Sequence, residues 1–183
     1  MRWLGVAMLT APTPPSLCGP AIGPRPAYHP TMTDRLAGSA LASPALAPRV
    51  REFLGATRFV TIATVGADGS PHQAVVWYRL DGDEIVINSA VGRRWPADLV
   101  RDGRIGLTVV DAEDGYRWIG LVGTVTPIRD QAIAQADIAE MARRYHAHEP
   151  EEAERLIHEG FERQQRISFR FRADSFHDHL DDD

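Results

Sequence analysis

Arg58-Phe-Val-Thr-Ile-Ala-Thr-Val65, followed at once by Gly66-Ala-Asp-Gly69, is the stretch on which the fold turns. Its β-branched residues favour extended backbone, and the glycine-flanked Ala-Asp pair behind them supplies a hairpin turn. A second strand is expected over His72 to Leu80. Asp81-Gly82-Asp83 then makes another tight turn before a third strand, Glu84-Ile-Val-Ile-Asn88. The three form an antiparallel meander.

Upstream, Ser43-Pro44 and the apolar residues Leu46, Val50, Phe53 and Leu54 predict a short helix over Ala45 to Ala56. Downstream, Gly92 to Asp102 reads as another, with Pro96 in the first turn, where no N–H is needed. Two further strands, Arg104 to Val110 and Tyr116 to Thr126, flank the turn Asp111-Ala-Glu-Asp-Gly115. Helical spacing of Ile138, Met141, Ala142 and Tyr145 predicts a helix over Asp130 to Ala147, and Ala153, Leu156, Ile157 and Phe161 repeat the pattern after Pro150. A last strand alternates Ile167, Phe169 and Phe171 with Ser168 and Arg170. Six short strands with peripheral helices predict a mainly β protein, a six-stranded antiparallel barrel, closed or nearly so.

The ends differ from this middle. Seven of the 13 prolines lie between Pro12 and Pro30, and no acidic residue precedes Asp34. Residues 1–31 therefore read as a disordered Pro-rich extension. Met32 is a candidate biological start, a genuine flexible tail being the alternative. Residues 32–173 make the barrel domain, and residues 174–183 an acidic, mobile tail.

Composition excludes several functions. Hydrophobic residues make up 44% and charged residues 25% of the 183, ordinary globular values. The net charge of −5 argues against nucleic acid as a partner, since phosphate-backbone binding needs a basic face. No stretch reaches the ~18 apolar residues of a membrane span. Met1 to Ala11 superficially resembles a signal peptide, but Leu17 before Cys18 is not the small residue of a lipoprotein site, and the expected location is the cytoplasm. All 20 basic residues are arginine, so Schiff-base and P-loop lysine chemistries are absent. One cysteine allows neither an intrachain disulfide nor a multi-cysteine metal site. His146-x-His148 and His177-x-His179 lack zinc-site spacing, no Gly-x-Ser-x-Gly elbow occurs, and no GxGxxG follows a strand.

Two stretches carry candidate chemistry. In Asn88-Ser-Ala-Val-Gly-Arg-Arg-Trp-Pro96 a strand ends and a helix begins, so side-chain donors, free N–H groups and adjacent arginines can gather around a phosphate ester. Arg93 and Arg94 as solvated loop charges are the alternative. In Gly69 to Tyr78, His72, Gln73, Trp77 and Tyr78 alternate faces of a strand on whose backbone a planar ligand can stack. Equally, Val75 and Trp77 can fill the barrel while His72 and Gln73 cap its end.

Taken in order, Thr61-Ile-Ala-Thr-Val65, Asp68-Gly-Ser-Pro-His72, Val76-Trp-Tyr78, Gly92-Arg-Arg-Trp-Pro96, Leu99 to Arg104 and Trp118 to Gly123 resemble the pyridoxamine 5'-phosphate oxidase-like split β-barrel superfamily, known for flavin mononucleotide-binding split barrels. Within it the chain is most similar to the branch dependent on the deazaflavin coenzyme F420. The resemblance spans about Val50 to Phe171. It implies a homodimer with the cofactor in a groove at the subunit interface, its ring against strand backbone and its phosphate at the end of the third strand. Carried onto this chain, the cofactor-binding positions are His72, Val75, Asn88, Ser89, Ala90, Arg93, Arg94 and Trp95. Trp77, Tyr78 and Trp118 are candidate walls of a substrate pocket, and each can equally be core.

Three departures bear on the cofactor. Many flavin-binding relatives carry a lysine where this chain has Trp95, which argues against tight flavin mononucleotide binding, although the neighbouring Arg94 can substitute. Asp98 stands where the family helix usually has asparagine, an acid expected to weaken phosphate binding. The C-terminal arginine and histidine pattern of true pyridoxamine phosphate oxidases is not recognisable after Phe171, which argues against vitamin B6 oxidation. The expected function is F420-dependent reduction of a small conjugated organic substrate by hydride transfer. A flavin mononucleotide enzyme of the same fold and a non-catalytic carrier of cofactor, haem or lipid are the alternatives.

Overall fold

The computed structural model describes residues 46–180. The chain divides into two units, and the second, Leu41–Asp183, holds every described residue. The Pro-rich stretch 1–31 and the last three residues lie outside the described ones.

Helix α1 (Pro48–Gly55) starts on a proline, which pre-sets its first turn, and buries Val50, Phe53 and Leu54. Strands β1 (Val60–Val65) and β2 (Pro71–Val76) form the expected hairpin, with Thr61 opposite Val75 and Ala63 opposite Gln73. β3 (Tyr78–Asp81) and β4 (Glu84–Ala90) form the next. Gly92, at φ 93°, turns the chain from β4 into helix α2 (Arg94–Arg101), a conformation that only glycine adopts without strain. β5 (Arg104–Val110), β6 (Trp118–Ile128), helix α3 (Gln131–Tyr145), helix α4 (Pro150–Arg155) and β7 (Arg166–His179) follow. α4 runs on into a π-helical turn, Leu156–Phe161.

All seven strands belong to one sheet, in the order β2-β1-β5-β6-β7-β4-β3. The two edge strands, β2 and β3, are separated along the chain by Trp77 alone, so the sheet must curl until its edges meet there. That closure makes the split barrel. Its interior is packed rather than open, with Ile62, Leu107, Leu121, Ile87, Phe169 and Phe171 at its centre. On the outside of β4, Val86 forms a smaller cluster with Ile138 and Met141 of α3.

Two expectations are corrected. The strand expected over His72 to Leu80 is two strands, making seven rather than six, because its first half pairs with β1 and its second with β4 at the other end of the ladder. The acidic tail expected from Asp174 is strand as far as His179, paired with β6 down to Trp118. Asp174, Ser175 and His177 are exposed, so this half of β7 is held by its backbone ladder and needs no apolar alternation. Where the β6–β7 register shifts, between Val122 and Gly123, the Arg172 carbonyl oxygen lies 2.0 Å from where a Cβ on Gly123 would stand. Among the described residues no helix is long and apolar enough to cross a membrane.

Candidate functional site

Where β2 gives way to β3, a cleft of about 260 Å³ opens between the barrel wall and the helices α2 and α3. Phe59, Val75, Val76, Trp77, Trp95, Ile138 and Phe161 give it an apolar wall, and Asn88, Arg93 and Arg166 a polar end. Among the described residues no carboxylate lines it.

The wall is held rigidly. Trp77 stacks on Tyr145 of α3 at 5.0 Å and 14°, and Phe161 meets it edge-on at 6.2 Å. The Tyr145 hydroxyl accepts from the Tyr78 amide at 3.1 Å and donates to the Arg58 carbonyl, tying α3 to the joint between the edge strands. Gln135 of α3 donates to the carbonyls of Phe161 and Gln164 at 3.0 and 2.9 Å, which fixes the π-helical turn that delivers Phe161.

The polar end centres on Asn88. Its amide donates to the Ala134 carbonyl at 2.8 Å and the Ser168 hydroxyl at 2.9 Å. Its oxygen accepts twice from Arg166, from Nε at 2.9 Å and Nη2 at 2.6 Å. Arg166 is 3% exposed. Burial, together with the nearby positive charge of Arg93, pulls its pKa below the ordinary guanidinium value, to about 10. Arg93 stands at the N-cap of α2.

Of the residues expected to bind cofactor, the cleft gathers Val75, Asn88, Arg93 and Trp95. His72, Ser89, Ala90 and Arg94 do not line it. His72 turns to the end of the barrel, its Nδ1 3.3 Å from Asp98. Ser89 is buried, and its hydroxyl has no partner. Ala90 is half-buried at the end of β4, and Arg94 is exposed in the first turn of α2, its charge felt by Asp68. Of the expected pocket walls only Trp77 lines the cleft. Tyr78 is fully buried, with its hydroxyl donating to the Leu54 carbonyl at 2.9 Å, and desolvation raises its pKa. Trp118 stacks on His179 at 4.1 Å elsewhere on the sheet.

Asp98 faces away from the cleft. It accepts from Arg101 at 3.0 Å and Thr64 at 3.2 Å, besides its contact with His72. Burial alone would raise its pKa, but these hydrogen bonds together hold it below the ordinary carboxylate value.

Beyond the cleft, two neighbouring rows on one face of the sheet carry no charged residue across four strands. Val75, Thr61, Thr108 and Gly120 form one row across four strands, and Gln73, Ala63, Gly106 and Val122 the next. Val75 is 66% and Val122 53% exposed.

The pyridoxamine 5'-phosphate oxidase family model matches residues 46–178, nearly the whole described barrel. This chain belongs to that family. Among solved structures, members of the same fold include an F420 reductase, at TM-score 0.58 and 18% identity over 72% of this chain and 98% of that one. A conserved hypothetical protein from Mycobacterium tuberculosis aligns at TM-score 0.61 and 20% identity, over 73% and 86%. HutZ, a haem storage protein from Vibrio cholerae, aligns at TM-score 0.55 and 17% identity, over 73% and 94%. At these identities the likeness is one of fold. None of the curated proteins matches the chain.

Sequence reasoning missed Arg166, Phe59, Ile138 and Phe161. Arg166 opens the last predicted strand, but only the pairing of Ala90 with Arg166 brings it beside Asn88, and pairing is not written in either strand alone. Phe161 was read as helical core, and the π-helical turn re-aims it into the cleft.

Proposed function

We propose that this member of the pyridoxamine 5'-phosphate oxidase family is an F420-dependent oxidoreductase that reduces a small conjugated organic molecule. The observation that carries the reading is one cleft uniting an aromatic wall with an acid-free, arginine-bearing end, beside the barrel strands. When bound, the reduced deazaflavin supplies a hydride. The residues present fit such a group. Arg93 at the N-cap of α2 would hold its phosphate, and among the described residues no carboxylate lines the cleft to oppose it.

The protein's part is to bind, orient and dry the site. Val75 and Val76 offer strand surface to a planar ring, while Trp77, Trp95 and Phe161 exclude water from it. No side chain need act as a nucleophile. The two uncharged rows on the outer sheet face support a homodimer, since a second copy can cover them without desolvating any ionised group. Val75 belongs to both the face and the cleft, so a partner there would stand at the cleft's rim.

Titration with F420 and separately with flavin mononucleotide tests the cofactor, followed by tryptophan fluorescence because Trp77 and Trp95 line the cleft. Saturable quenching by F420 at lower concentration than by flavin is expected. Flavin preference replaces the deazaflavin with a flavin enzyme of the same fold, and binding of neither overturns the cofactor site. Oxidation of reduced F420 with a panel of conjugated acceptors then separates an enzyme from a carrier, which binds without turnover.

A further inference from the structure

Arg166 is a buried cation that no carboxylate of the described residues neutralises. Among the described residues its side-chain hydrogen-bond partners are all uncharged: the Asn88 oxygen, and Gln164 Oε1 at 2.7 Å from Nη1. The Phe161 ring lies 5.1 Å from its guanidinium carbon. A buried charge is costly unless an opposite charge answers it. Other buried ions here are answered: Asp137 by Arg79 at 2.6 Å, and Asp98 by Arg101. The isolation of Arg166 is therefore particular to the cleft it lines.

Its position is also over-determined. Gln131 locks the Arg166 main chain from both sides, accepting from its N–H at 2.9 Å and donating to its carbonyl at 2.7 Å. Gln135 holds the carbonyl of Gln164, and Asn88 takes two of the guanidinium's N–H groups. Of the five N–H donors of an arginine, three are engaged and two are left over. A second guanidinium, Arg93, lines the same cleft. Such expense of scaffolding on one uncompensated cation is intelligible if its counter-ion arrives from outside.

We infer that Arg166 is the anion-recognition group of the cleft, and that with Arg93 it takes a phosphoryl group whose charged oxygens accept its two free N–H donors. The inference rests on reading the cleft as a ligand site and adds the residue that selects the ligand. Arginine suits the task because its planar fork meets two phosphoryl oxygens at once. The phosphoryl group can belong to the cofactor or to the substrate.

The test uses the full chain with inorganic phosphate as the probe, ionic strength being matched with sodium chloride. Tryptophan fluorescence and the thermal midpoint are read for the native protein, Arg166→Gln and Gln164→Glu. The last variant gives Arg166 an internal carboxylate at an exposed, nearly isosteric position. The native protein is expected to respond saturably at millimolar phosphate. Arg166→Gln should lose at least about tenfold in phosphate affinity, the loss of a charge-assisted hydrogen bond. Gln164→Glu should lose about fivefold or more, by the same electrostatics, with its phosphate-free thermal midpoint unchanged or higher.

An absent native response, a response that sodium chloride reproduces, or unchanged phosphate affinity in Gln164→Glu overturns the inference. If Arg166→Gln does not fold, Gln164→Glu decides alone. F420 titrated alongside separates the two readings. Parallel loss of F420 and phosphate affinity assigns the anion to the cofactor, and loss of phosphate affinity alone assigns it to the substrate. A phosphate response as expected with no F420 binding upholds Arg166 and removes the deazaflavin.

Discussion

Two buried charges are handled in opposite ways. Asp98 is closed off by Arg101, His72 and Thr64, within its own helix and the neighbouring strands β1 and β2. Among the described residues Arg166 is met by the neutral oxygens of Asn88 and Gln164 and by no carboxylate. The first arrangement is complete within the fold, so its charge serves to fasten α2 to the sheet. The second is complete only with something else present. A charge-lined position is thus informative about binding when its partners fail to neutralise it, and uninformative when they do.

Removing each charge should expose the contrast most strongly. Asp98→Ala strands three donors, and a loss of about 2 kcal/mol in urea unfolding is expected, less than for a fully buried pair because Arg101 is 41% exposed. Arg166→Met should cost about 1 kcal/mol or less in phosphate-free buffer, since loss of its hydrogen bonds is offset by removal of an unanswered charge. A larger loss for Arg166→Met than for Asp98→Ala would dissolve the distinction.

Acid sharpens it further. The folded pKa of Asp98 lies below its unfolded value, so its stabilisation is present above the ordinary carboxylate range near 3.8 and is lost as pH falls through the folded value. Asp98→Asn should flatten the stability curve below about pH 4. Arg166→Met, with no carboxylate in the pair, should leave that limb unchanged. Parallel acid limbs for native protein and Asp98→Asn would show that the carboxylate is not held as described.

The smallest effect on the fold is expected where a charge is added to the neutral outer face. Val122→Arg should alter the stability of one subunit by less than about 0.5 kcal/mol. For the homodimer proposed above, sedimentation should nevertheless show a shift toward the single chain, because an interface there would have to bury the guanidinium unpaired. An unchanged dimer would move the interface elsewhere on the molecule.

Much of the barrel was legible in the sequence because its strands carry their own signals. The β-branched run from Val60 to Val65 and the glycine turns at Gly69 and Gly82 act locally, and those hairpins form as expected. The split of the second strand at Trp77 was not legible, since it depends on which distant strand each half pairs with. The same holds for Asp174 to His179, whose polar side chains conceal a backbone ladder.

For the site, Asn88 and Arg93 were found because a strand end meeting a helix start has a recognisable chemistry. Arg94 is expected for the same reason and His72 from its strand-two position in the resemblance, yet Arg94 is exposed in the first turn of α2 and His72 lies beside Asp98. Arg166 carried no local signal at all. Its meaning comes from the lack of a counter-charge among its described neighbours, which only the three-dimensional arrangement reveals.

The joint at Trp77 also bears on life in a crowded cell. Sheet edges are templates on which foreign strands can add, and proteins blunt them by keeping them short or hidden. Here the ladder ends in strands of six and four residues, joined through one residue and backed by the stacked Trp77 and Tyr145 rings. Residues inserted at that joint would let the two edges drift apart and give foreign strands freer access to them.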